Sequence, residues 1–237
     1  MSPTFFIDRP IFASVLSIII VVGLIVPSFV LFEPDTSDET VTVKLGLPAM
    51  VALAGIFLAV YRTVRTIFAT TRLSREWYSS SKQIAVRGID EPIYKFEHRF
   101  PVLAVVGIIR PRIFVASQVL KALTDEELRT ALEHERGHIL SRDNLKKVVI
   151  DFCRSVILFP LATSLRDAWA EASEQVADQH AVTSDPSRAA DLASALIKIA
   201  RIAPGPLGRM PLAASVMISG SNSSVAERIS RLLKVDG

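Results

Sequence analysis

Cysteine is close to absent from this chain: Cys153 is the only one in 237 residues. No internal disulfide can form, and the composition suits a reducing compartment. Net charge is small, +3. No basic stripe with interleaved aromatics stands out, so nucleic-acid binding has no support. Internal repeats and low-complexity tracts are lacking too. Histidine is scarce, with four residues. Two of the four sit close together in "ALEHERGHILSRDN", residues 131–144.

Apolar character is what the chain has in surplus. Half of it is hydrophobic, and the mean hydropathy of +0.38 is high for a soluble domain. Residues 11–32, "IFASVLSIIIVVGLIVPSFVLF", form a run of 22 without a charge. At about 1.5 Å per residue, such a helix crosses a hydrocarbon core about 30 Å thick. Residues 45–61, "LGLPAMVALAGIFLAVY", are a second uncharged run of 17. Two such runs in tandem predict a transmembrane hairpin over residues 1–75, with the lipid bilayer as a partner. The first run is longer than the usual apolar segment of a signal peptide, about 7–15 residues, and a second run follows it. Arg9 precedes the first run, and Arg62, Arg65, Arg72 and Arg75 follow the second. Basic flanks stay inside, so both ends are expected in the cytoplasm, in a multi-pass cell-membrane protein.

Residues 76–237 read as a separate domain. Residues 62–81 look like a polar continuation of the second helix. From 83 to 115, apolar β-branched pieces alternate with Gly88, Pro92, Pro101, Gly107 and Pro111, the pattern of strands and turns. "RIFVA", residues 112–116, is a strand. Thr124 with Glu127 three residues on forms a capping box, which predicts a helix from Asp125 to about Ser141. Residues 148–165 are long enough to span a membrane yet carry Asp151 and Arg154. They are either a third span or a helix buried in the domain. A short final helix is expected over residues 225–234.

The paired histidines fall inside the capped helix. Positions i and i+4 share a face, so His134 and His138 project together and can bind one zinc ion. Glu135 lies about 100° further round, where it can reach water at the metal. This is the H-E-x-x-H arrangement of metalloproteases. Catalytic zinc usually takes a third protein ligand. The extended pattern with a third histidine is missing, since Ser141 and Asn144 stand where its glycine and histidine would be. Residues 169–182, "WAEASEQVADQHAV", read as another helix, with Glu171, Glu174 and Asp178 on one face. Geometry alone leaves Glu171, Glu174 and His180 open as the third ligand. His98, in a polar turn, reads as a surface residue and Cys153 as a small buried hydrophobe.

"HERGH" together with "EQVAD" resembles the glutamate-zincin membrane peptidases, whose second motif is E-x-x-A-D. The segment "VVGIIRPRIFVASQVLKALTDEELRTALEHERGHILSRDN" is similar to the peptidase domains of the BlaR/MecR sensor proteins. The HtpX and CAAX-prenyl-protease group is next. "FP" at Phe159 and Pro160 and "SSVAERISRLL" near residue 233 fit as well. The resemblance covers roughly residues 104–233. It implies that His134, His138 and Glu174 are zinc ligands and Glu135 the general base. It implies that Asp178 orients a ligating imidazole, and that Ile113, Phe114 and Val115 form a strand beside the cleft to which a peptide adds. The histidine-proline element of HtpX is replaced by "SGSNSS". No penicillin-binding sensor domain is expected, so antibiotic sensing is not carried over. Arg228 either supports the acidic helix or, the commoner case, is a surface arginine.

The expected fold is mainly α with a small β-sheet: an N-terminal transmembrane hairpin, then a zincin-like α+β metallopeptidase domain. The expected function is membrane-anchored, zinc-dependent endoproteolysis of a protein or peptide, with a cytoplasmic regulator in signalling as one substrate class. A separate membrane sensor or signalling partner would supply the trigger. The alternatives are membrane-protein quality control of the HtpX kind and a non-catalytic zinc-binding scaffold.

Overall fold

The computed structural model describes residues 39–156, 161–183, 185, 187–202 and 225–234. The expected first span, residues 11–32, lies outside these. The described elements are α1 (Glu39–Ser79), β1 (Lys82–Ile84), β2 (Ile93–Phe96), β3 (Leu103–Val106), β4 (Arg112–Ala116), α2 (Ser117–Ala122), α3 (Asp125–Leu140), α4 (Asp143–Val156), α5 (Leu161–Val182), α6 (Arg188–Ile202) and α7 (Val225–Lys234). The protein is thus mainly helical with one small mixed sheet.

The chain divides into two compact units. The described part of the first holds α1 up to Val64 and the neighbourhood of residues 149–162. The run at 45–61 lies within α1, a single helix of 41 residues. Its segment Leu53–Ser79 is long and apolar enough to cross a membrane, the only such helix among the described residues. Large apolar side chains stand in the open along α1, with Met50 at 70%, Phe57 at 75% and Phe68 at 72% exposure. Of residues 148–165, those up to Val156 belong to α4 and those from Leu161 to α5, and 157–160 lie outside the described residues.

The second unit, residues 65–148 and 163–237, contains the sheet and the histidine motif. Strand order is β1-β2-β4-β3. β2 and β4 run parallel, and the other two pairings are antiparallel. β4 therefore lies inside the sheet, which explains its nearly unbroken apolar sequence: Ile113, Phe114 and Val115 are all fully buried. Trp77, near the end of α1, packs on this sheet with ring centroids 4.9 Å from Phe96 and 5.6 Å from Phe114. The Arg112 guanidinium covers Tyr78 at 4.3 Å. The β3–β4 turn requires Gly107: its φ is +115°, and a Cβ there would sit 2.6 Å from the Arg110 carbonyl oxygen.

α3 begins where the capping box puts it. Glu127 N–H donates to Thr124 Oγ1, and Thr124 N–H donates to Glu127 Oε2 at 2.8 Å. The same carboxylate reaches α6, accepting from Ser194 Oγ at 2.6 Å and Lys198 Nζ at 2.7 Å. Burial opposes its ionisation, but Lys198, Ser194 and the Thr124 N–H outweigh that and hold the group at about 2 against an ordinary 4.5. A carboxylate depressed in the folded state stabilises fully above its unfolded value and loses that contribution as pH falls towards the folded one. Stability is expected to drop between about pH 4.5 and pH 2, and Glu127→Gln should remove about 1–3 kcal/mol at pH 7 while flattening this acid limb. Urea unfolding at a series of pH values checks it. An acid limb that Glu127→Gln leaves as steep would assign the loss to other carboxylates.

Candidate metal centre

α3 carries His134 and His138 one turn apart on the side that faces α5. Gly137 lets the two helices meet. A Cβ at Gly137 would lie 3.1 Å from Ala177 Cα and 3.3 Å from His180 Cβ. This close crossing brings Glu174, one turn before Asp178 on α5, up to the imidazoles.

Three residues bring donor atoms together there. His134 Nε2 and His138 Nε2 are 3.2 Å apart. Glu174 Oε2 lies 3.5 Å from the first, and Oε1 lies 3.7 Å from the second. Donors on a tetrahedral metal at about 2.0–2.2 Å stand roughly 3.3 Å from one another. The triangle therefore fits one divalent cation, and these three residues can hold a metal. Glu171 is not part of it. Its side chain is half exposed and faces Arg231 at 3.4 Å. His180 also stays outside, with Nε2 3.8 Å from Glu133 Oε2. His98 packs among Trp77, Phe96 and Phe100.

Four further groups surround the triangle. Asp178 Oδ1 lies 2.9 Å from His134 Nδ1. Asp143, the first residue of α4, places Oδ2 2.7 Å from His138 Nδ1. Arg228 on α7 forks onto Asp178 at 2.6 and 3.2 Å and reaches Glu174 Oε2 at 2.8 Å. It is not a surface arginine: its side chain is 12% exposed, because Ile229 and Leu232 anchor α7 in an apolar cluster with α6. Glu135 Oε2 accepts from Val105 N–H at 3.1 Å. Sequence reasoning leaves Asp143 unnamed. The signal available is an acid shortly after the motif, beyond a helix break that no glycine or proline announces.

Burial alone would push the His134 imidazolium down, but the carboxylates of Asp178 and Glu174 outweigh it and raise it to about 9. Glu174 is the converse. Burial favours its neutral form, but His134 and Arg228 hold it ionised, down to about 2. Glu135 has its carboxyl raised, chiefly by burial.

The expected peptide-binding strand requires a correction. β4 pairs with β2 on one side and β3 on the other, so Ile113, Phe114 and Val115 have no open edge. Among the described residues the open edge nearest the triangle belongs to β3. Ala116 N–H donates to Val102 O, so alternation turns the Val105 N–H and C=O outward. Glu135 takes the N–H, and Asn144 Nδ2 donates to the Val105 and Gly107 carbonyls at 3.2 and 2.9 Å.

The profile of the BlaR1 peptidase M56 family matches residues 35–232. The chain belongs to this family. M56 proteins are metallopeptidases, so the family supplies the activity for which the buried His-His-Glu group has the donors. The match takes in α1 and α7 as well as the histidine motif. A comparison with curated proteins gives no match.

The Gly137 crossing gives a direct test. Gly137→Ala improves helix propensity by about 1 kcal/mol but presses on the Ala177 backbone, which cannot rotate away. The expected outcome is little change in melting temperature and a fall of roughly 10-fold or more in metal affinity, measured by competition with a chelator. Unchanged affinity would show that the α3–α5 spacing has slack.

Proposed function

We propose that the chain is a membrane-anchored zinc endopeptidase that cleaves a protein substrate on the cytoplasmic side. The observation that carries this reading is the Nε2–Nε2–carboxylate triangle with a further glutamate, Glu135, beside it and outside the donor set. Residues 1–75 serve as a transmembrane hairpin and residues 76–237 as a zincin-like peptidase domain. His134, His138 and Glu174 hold the zinc, and Asp178 orients the His134 imidazole. A bound zinc ion lowers the pKa of water towards about 7 and polarises a carbonyl.

The protein's own groups do the rest. Glu135 accepts the proton of the attacking water and passes it to the leaving nitrogen. Its raised proton affinity suits that exchange. An extended peptide adds to the outer edge of β3, where the main-chain groups of Leu103 face outward by the alternation that exposes those of Val105. Arg228 fixes Glu174 and Asp178 in place. A cytoplasmic regulator, cleaved when a separate membrane sensor signals, is the preferred substrate class. A scaffold that only binds zinc would require the ligands and not Glu135.

Glu135→Gln should keep its zinc and its fold and lose roughly 100-fold to 10,000-fold of casein cleavage. Glu174→Ala should lose zinc after dialysis, while Glu171→Ala and His180→Ala keep full occupancy. Equal activity in purified Glu135→Gln removes the mechanism, and zinc retained by Glu174→Ala removes the ligand set.

Topology has its own test. A reporter fused near Ser37 should behave as external and one after Gly237 as cytoplasmic. The reverse pattern would invert the hairpin.

A further inference from the structure

The turn between α3 and α4 does something that neither helix requires. α3 stops at Leu140, and Arg142 takes φ +53°, a conformation that side-chain-bearing residues rarely adopt. Strained backbone of this kind persists where surrounding structure enforces it, commonly at functional sites. Here the result of the turn is that α4 starts at once, with Leu145 and Lys146 N–H groups donating to the Arg142 carbonyl. Its first residue, Asp143, then folds back over the end of α3.

An acid at a helix start is ordinarily explained by the helix dipole, with the carboxylate turned to its own helix's N–H groups and to water. Asp143 departs from that on two counts. It is 8% exposed, and its Oδ2 is 2.7 Å from His138 Nδ1 on the neighbouring helix. An ionised carboxylate is acceptor-only, so this contact requires the proton on Nδ1. In the neutral ring the other nitrogen, His138 Nε2, then carries the lone pair, and it faces His134 Nε2 at 3.2 Å and Glu174 Oε1 at 3.7 Å. Asp178 Oδ1 is also close to His134, 2.9 Å from its Nδ1, but without hydrogen-bond geometry.

We propose that Asp143 is a positioning residue of the metal centre: it fixes His138 as the Nδ1–H tautomer, with Nε2 directed at the cation. Of the two imidazoles, His138 is the one whose Nδ1 is hydrogen-bonded to an aspartate, Asp143 on α4. This rests on the reading that the His-His-Glu triangle holds zinc. A fixed tautomer removes a step that metal binding would otherwise have to make, and loss of such a partner weakens metal affinity by about 10–100-fold.

The test uses the full chain in detergent, with selectively 15N-labelled histidine and a zinc competition titration. In metal-free wild type at pH 8, His138 should show its proton on Nδ1. Asp143→Ala should lose that signature and bind zinc about 10–100-fold more weakly. Asp143→Asn keeps an oxygen acceptor of the same reach, so it should retain the signature and recover most of the affinity. Arg142→Gly relieves the backbone and leaves Asp143 in place, so its zinc affinity should match wild type. A dipole role alone would shift the melting temperature of the metal-free protein and leave both readouts unmoved. The proposal is overturned if wild-type His138 carries its proton on Nε2, or if Asp143→Ala folds and binds zinc as tightly as wild type. Wild type without zinc affinity would remove the metallopeptidase reading instead, while the tautomer measurement still decides the role of Asp143. If Asp143→Ala does not fold, Asp143→Asn and the wild-type signature decide it.

Discussion

The constraint on which the site depends is the balance of charge where α3 crosses α5. Asp143, Glu174 and Asp178 are all buried carboxylates gathered around two imidazoles. Ionised groups removed from water are costly unless paired. Part of the compensation comes from Arg228, which reaches both Glu174 and Asp178. A divalent cation in the triangle would supply further positive charge. The same acids that would orient the ligands therefore also create the demand for a cation.

Parts far apart in the chain meet this demand. α3 brings the histidines, the turn after it brings Asp143, α5 brings Glu174 and Asp178, and α7 brings Arg228. Each is fixed by ordinary packing. The capping box and the Glu127 contacts set the start of α3 against α6. Gly137 sets the approach of α5. Ile229 and Leu232 seat α7.

Local signals make several of these elements legible. The capping box marks the start of α3, and "RIFVA" marks β4, because both patterns are contained within a few residues. The final helix is visible as a short amphipathic stretch. What sequence does not convey is relative placement. β4 reads as a strand, yet nothing in its five residues says that β2 and β3 flank it, so its edge reads as open. Glu171 and Glu174 share a helix face in sequence, and only the crossing point at Ala177 separates them. Arg228 reads like any arginine on a short polar helix, because its partners lie 50 and 54 positions earlier in the chain. Asp143 is hidden by a backbone turn that uses an arginine where glycine would have signalled it.

The position of Arg228 on α7 bears on how the protein is made. Fifty positions separate it from Asp178. At typical synthesis rates of about 5–20 residues per second, the ribosome needs roughly 3–10 s to cover that interval. Throughout it, the nascent chain has its histidine pair and both acids but lacks the guanidinium that neutralises Glu174 and Asp178. The acidic pocket would then be at its most negative while the chain is still tethered, and a cation could enter before α7 arrives to close over it.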